Sequence, residues 1–192
     1  MPILILGLLL FLGPHSIGMA ARDWRAAQVA QFGVRPWKIG FAVVSAVGLV
    51  LIVVGFGAAR ARPVLLYAPP LALQHLNALF TLVAFVLIAA SHARGSRIKA
   101  ALGHPMLAGV AVWAFGHLLA AGMLADVVLF GPFLLWSVTD FLASRARDRA
   151  AGVTRPAGAL GGDLRAIGVG VVAWAVFAFW LHRALIGVSP FA

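Results

Sequence analysis

Six histidines stand in a 192-residue chain that is 63% hydrophobic, and four of them, His15, His75, His104 and His117, are candidates for a functional role. His117 lies inside an apolar run that opens with His104-Pro105-Met106. Trp113 precedes it by one helical turn, and Gly116, Ala120 and Ala121 leave space around its ring. An ionisable group at membrane depth is costly, so His117 calls for a hydrogen-bond acceptor, a water or a metal. His15 follows Pro14, which loosens a helix locally. His75 adjoins Gln74, Asn77 and Thr81, three polar residues on one side of a helix that read first as interhelical hydrogen-bond partners. His104 precedes a first-turn proline and reads first as a helix cap. On one helix His104 and His117 would lie about 20 Å apart along the axis and about 140° apart around it, so they cannot share an ion. His92 and His182 fall at span ends, one solvated and the other reaching the headgroups.

Neutral imidazoles from different helices are a common means of holding b-type haem iron inside a bundle. Histidines that merely bond to carbonyls, or to Asp126 and Asp140, give the same pattern, so both readings stand at this level. Other chemistries lack their residues. The chain has no cysteine, which excludes disulfides, iron–sulfur clusters, thiolate ligands and c-type haem attachment. It has no glutamate and five scattered aspartates, so a carboxylate hydrolase, a zinc site with a glutamate base, a phosphate loop and a serine elbow are all missing.

The elements that must position these histidines follow from hydropathy. Mean hydropathy is +1.03 and only 10% of residues are charged, which indicates a membrane protein. Six spans are predicted near Ile3–Ala20, Ile39–Gly57, Pro70–Ala90, Met106–Ala121, Leu124–Leu142 and Leu164–Ile186. Gly122-Met123 joins the fourth and fifth as an antiparallel hairpin, and Asp126 suits the N-terminus of the fifth. The fold expected is an all-α polytopic transmembrane helical bundle of about six spans, one membrane domain over 1–192. Gly158, Gly161 and Gly162 with Pro156 predict a flexible last loop.

Twelve of the fifteen lysines and arginines fall in the loops after the first, third and fifth spans. That asymmetry predicts a bacterial inner-membrane protein with both termini periplasmic. It also accounts for the net charge of +10 and leaves no continuous basic surface for nucleic acid. No basic residue precedes the first run, so it reads as a retained span instead of a cleaved leader.

The run Gly103-His104-Pro105-Met106-Leu107-Ala108-Gly109, continuing through Trp113 and His117 to Leu118-Leu119-Ala120-Ala121-Gly122 and Leu129-Phe130-Gly131, resembles the signature of the NnrU membrane proteins. Pro14-His15-Ser16 followed by Arg22-Asp23 resembles the start of that family. The resemblance implies a link to denitrification and nitric oxide metabolism, and a likeness to the plastid 15-cis-zeta-carotene isomerase, a haem b membrane enzyme. The isomerase's haem-ligating histidines match His15 and His117. Where it has a cysteine after the tryptophan, this chain has Ala114. The resemblance thus implies haem b iron held by His15 and His117, with Trp113 and other aromatic residues lining the pocket and His104 in the same motif. By depth along the predicted spans His15 lies about 6 Å inward of the midplane and His117 about 6 Å outward. His75 suits His117 better on that measure and stands as the reserve ligand. Two rival functions accompany this expectation: haem-dependent cis–trans isomerisation of a lipophilic polyene, and a non-enzymatic assembly or transport role with a structural histidine network. Membrane lipid and a nitric oxide related partner are expected; the oligomeric state is left open.

Overall fold

The computed structural model describes residues 1–190, and among them regular structure is helical apart from two isolated β-bridges. Five helices are long and apolar enough to cross a membrane: α1 (Pro2–Ala20), α3 (Val34–Arg60), α4 (Leu71–His92), α7 (Leu124–Ala150) and the run Leu160–Ile186. A shorter apolar helix, α6 (Pro105–Ala120), is the sixth. The run Leu160–Ile186 comprises α8 (Leu160–Val176), a π-helical stretch at Phe177–Leu181 and α9 (His182–Ile186). Each predicted span coincides with one of these elements, so the chain is an all-α, multi-pass helical membrane protein. Outward-facing apolar side chains such as Leu9, Leu135 and Val172 are 66%, 72% and 63% exposed, a surface suited to lipid. Two short helices, α2 (Arg22–Phe32) and α5 (Arg97–Leu102), occupy segments that the hydropathy reading leaves as loops.

By internal contacts the chain falls into two compact units, Met1–Val64 and Leu65–Ala192. In the first, α1 and α3 pack antiparallel with backbones in near contact. A Cβ placed on Gly7 would lie 2.6 Å from the Ile52 nitrogen, one on Gly48 2.7 Å from the Phe11 nitrogen, and one on Gly55 2.4 Å from the Leu4 nitrogen. Small residues permit this approach, which membrane helices use in place of a hydrophobic driving force. The α1 helix continues through Pro14, and Gly33, at φ +88°, makes the break between α2 and α3 that a side chain would strain.

In the second unit α4 packs against both α6 and α8, and α6 packs against α7. Pro105 opens α6 as a first-turn proline, as predicted, with His104 as the N-cap and its carbonyl accepting from Ala108 N. The Asp126 carboxylate accepts from Met123 N at 3.0 Å and so caps α7. Trp174 Nε1 of α8 donates to Thr81 Oγ1 of α4 at 3.0 Å, which gives the polar stripe of α4 an interhelical role. The glycines of the last long loop have a packing role: Gly158 and Gly162 lie against the Ser96 and Gly95 backbones, too close for a Cβ. Buried Asp163 closes this clip, accepting from Ser96 Oγ at 2.9 Å and Ile98 N at 3.2 Å.

Candidate functional site

Each unit carries one imidazole held inside its helices, and the two are built alike. In the first unit His15 Nδ1 donates to the carbonyl of Phe11, four residues back, at 2.6 Å. Its ring stacks on Phe11 at 4.5 Å and meets Phe41 of the antiparallel α3 at 4.8 Å. In the second unit His117 Nδ1 donates to the carbonyl of Trp113, again four residues back, at 2.8 Å. Its ring lies 5.2 Å from Trp113 and stacks on Phe130 of the antiparallel α7 at 4.4 Å. The shared element is an aromatic residue, three intervening residues, then histidine. The helix supplies a carbonyl on the same face as the ring, and the neighbouring helix supplies a phenylalanine.

The consequence is a fixed tautomer. A carbonyl only accepts, so the proton resides on Nδ1 and the lone pair on Nε2. A carbonyl bonded in this way to one ring nitrogen fixes the orientation of an imidazole whose other nitrogen binds a metal. Trp113 extends the aromatic wall around His117, with its ring 5.0 Å from Phe130 and 5.5 Å from Phe133. Ala114, which follows Trp113, is fully buried.

The other candidates are placed differently. His104 sits at the opposite end of α6 from His117, and its Nε2 is 2.7 Å from Asp148 Oδ2, a carboxylate that Arg155 also binds. His75 lies in the first turns of α4, at the same end of the unit as His117. Asn77, two residues on, lies against Gly116 of α6, where a Cβ would come within 2.5 Å of its side-chain oxygen. Two residues span about 200° of helix, so exposed His75 leaves α4 on the side away from α6. The structure therefore does not bring His75 and His117 together. Among the described residues no group of three or more His, Asp or Glu side chains is arranged to hold a metal ion.

Two further residues bear on His117: His182, which the sequence places only at a span end, and Tyr67, which it does not single out. His182 follows the π-helical stretch, donates from Nδ1 to the Val188 carbonyl at 2.7 Å, and lies near His117. Such π stretches are frequent at functional sites and leave no mark in composition. Tyr67, in the segment leading to α4, donates its hydroxyl to the carbonyls of Leu118 and Ala121 (the latter at 2.7 Å), at the C-terminal end of the helix that carries His117. Leu66 N and Tyr67 N donate to the Gly122 carbonyl at 2.8 and 3.2 Å. These contacts satisfy helix-end carbonyls that otherwise lack partners.

Burial and, secondarily, the Asp126 carboxylate push the Tyr67 hydroxyl above its ordinary value near 10. The hydroxyl must be protonated to donate, so the clamp persists through the usual tyrosine range and is lost only as pH rises through the raised value. Tyr67→Phe is expected to cost about 1 kcal/mol of stability. Hydrogen exchange in detergent should show faster exchange at Leu66 and Tyr67 with the helices otherwise intact. Unchanged protection there would mean that the backbone bonds to Gly122 suffice alone.

Neither a curated protein nor a solved structure matches the chain. The family model described as NnrU protein matches residues 3–190, essentially the whole length of a chain with the six apolar helices and paired histidine motifs just described, and the chain belongs to the NnrU family.

Proposed function

We propose that this NnrU protein binds haem b within the membrane through His15 and His117 and serves redox chemistry linked to nitric oxide metabolism. One observation carries the reading: two imidazoles, on different helices, each have Nδ1 committed to a carbonyl four residues back and the lone pair on Nε2. A bis-histidine iron needs two such nitrogens and no third protein ligand, so the donor set fits the group. Held by His15 and His117, haem b would supply one-electron iron chemistry.

The chain's own part is positional. The Phe11 and Trp113 carbonyls orient the rings and hold the ring proton on Nδ1. Phe41 and Phe130 restrict ring rotation, and Trp113 and Phe133 help exclude water. Ala114 supplies no thiol beside Trp113, so redox chemistry is preferred over the isomerase's reaction. Loop charge supports an inner-membrane location with both termini periplasmic. The test is an absorption spectrum of purified, haem-replete protein, oxidised and reduced. A Soret band with sharp low-spin bands on reduction is expected; no Soret band would overturn the reading.

A further inference from the structure

The ring of His15 borders a cavity of about 370 Å³ formed within the first unit by Pro14, His15, Arg25, Trp37, Lys38 and Phe41, among others. Two of these residues are cations, and they come from different helices, Arg25 from α2 and Lys38 from α3. Neither has an ion-pair or hydrogen-bond partner among the described residues. Arg25 is held only by its guanidinium lying 6.0 Å over the Trp37 ring, which Trp24 in turn meets edge-on at 5.8 Å. The other arginines of known role are engaged: Arg22 donates to the Gly18 carbonyl, Arg145 to the carbonyls of Ala101 and Leu102, and Arg147 and Arg155 to carboxylates. Topology asks only for positive charge on this side of the membrane. It does not ask for two uncommitted cations lining one cavity beside a buried-helix histidine.

A second cavity of about 430 Å³ shares Pro14, Trp37 and Phe41 with the first and adds Trp24, Phe32 and Val44. The pair forms an amphipathic cleft, with cations on one side and aromatic and aliphatic surface on the other. Its occupant should be a flat or slender apolar body carrying acid groups at one edge. A cavity of 370 Å³ is at the small end for a cofactor site, so it suits one edge of a large ligand better than the whole.

We infer that Arg25 and Lys38 form the carboxylate clamp of the haem, binding its two propionates on the α2–α3 side of His15. The inference rests on the haem reading above and adds the residues that would fix the porphyrin's orientation. Guanidinium and ammonium groups bind carboxylates by charge-assisted hydrogen bonds. The Trp37 ring limits the freedom of Arg25, so less entropy is lost when it engages. Phospholipid phosphate is the other anion that could meet these cations, and the experiment separates the two.

Full-length chain, produced haem-free and purified in detergent, would be titrated with haem b and with haem b dimethyl ester, whose propionates carry no charge. The Soret band reports binding of each. Wild type should bind haem b about tenfold or more tightly than the ester. Arg25→Gln with Lys38→Gln should bring the two affinities to within about twofold while keeping the low-spin spectrum, and Arg25→Lys with Lys38→Arg should restore much of the preference. Equal affinity of wild type for haem b and ester would overturn the clamp and leave the histidine ligation standing. So would a preference that survives in the double glutamine variant, and either result would turn attention to lipid phosphate. No Soret band with either compound would overturn both readings together.

Discussion

His117→Ala, produced with ample haem, is expected to lose its low-spin spectrum and to bind haem at least about 100-fold more weakly than wild type. Loss of an outer-shell partner alone typically weakens a metal site 10–100-fold, and loss of a ligand should exceed that. His15→Ala should behave likewise, whereas His75→Ala and His104→Ala should retain the spectrum. The contrast follows from geometry. His15 and His117 have their Nδ1 protons committed to carbonyls at 2.6 and 2.8 Å, which puts the lone pair on Nε2 in each. His75 leaves α4 away from α6, and His104 spends Nε2 on Asp148 at 2.7 Å.

Alanine is the best helix former, so neither substitution should unfold its helix. Added imidazole offers a check against indirect effects. If the His117→Ala cavity between Trp113 and Phe130 takes up imidazole, the low-spin bands should return; if His117 were structural only, the wild-type and variant spectra would already agree. A third outcome is informative too. Retention of the bands in His15→Ala but not in His75→Ala would transfer the second ligand to His75.

How legible was this in the chain? The six membrane helices follow from hydropathy because burial in lipid demands long apolar runs and little else. Local chemistry was equally readable: Pro105 as a first-turn residue, Gly122-Met123 as a turn and Asp126 as a cap all act within a few residues of themselves. The two short helices were not. Arg22–Phe32 is too polar for the hydropathy criterion, and Arg97–Leu102, at six residues, is under two turns long. The extension of α7 from Leu142 to Ala150 was missed for a related reason. There the helix leaves the apolar layer and is supported by polar pairs, Ser144 with Asp140 at 3.2 Å and Arg147 with Ser144 at 2.6 Å.

The site was half readable. The Trp113-x-x-x-His117 spacing stood out in the sequence, and the same spacing at Phe11 and His15 was open to the same logic. Contacts across long separations were not. Tyr67 meets Leu118 and Ala121 more than fifty residues on, and His104 meets Asp148 forty-four residues on. No periodicity announces such pairs, because each is fixed by which helices happen to pack.

That dependence on packing yields the last prediction. Gly48→Leu should be among the most damaging single substitutions in the first unit, beside those at Gly7 and Gly55, lowering stability in detergent by about 3 kcal/mol or more. The obstacle is backbone against backbone: a Cβ at Gly48 would meet the Phe11 nitrogen at 2.7 Å and the Leu10 carbonyl carbon at 2.9 Å. Flexible side chains can swing away from an intruding methyl, but a helix backbone cannot move without shifting the whole of α1. The damage would reach the histidine as well. Phe11 supplies both the carbonyl and the ring that hold His15, while Phe41 of α3 closes the other side at 4.8 Å. Forcing α1 and α3 apart would therefore separate His15 from Phe41 and leave its bond to Phe11 intact, because that bond lies within α1. Gly57→Leu is the matched control on the same helix, where a Cβ meets nothing within 4 Å. Thermal unfolding of both variants in detergent should show a large loss for Gly48→Leu and little for Gly57→Leu. Equal losses would mean that glycine is needed along α3 for some reason other than contact with α1. Spectra of the haem-loaded variants would add a second readout: weaker retention in Gly48→Leu with an unchanged low-spin signature is the expected mark of a ligand whose helix has moved while its tautomer has not.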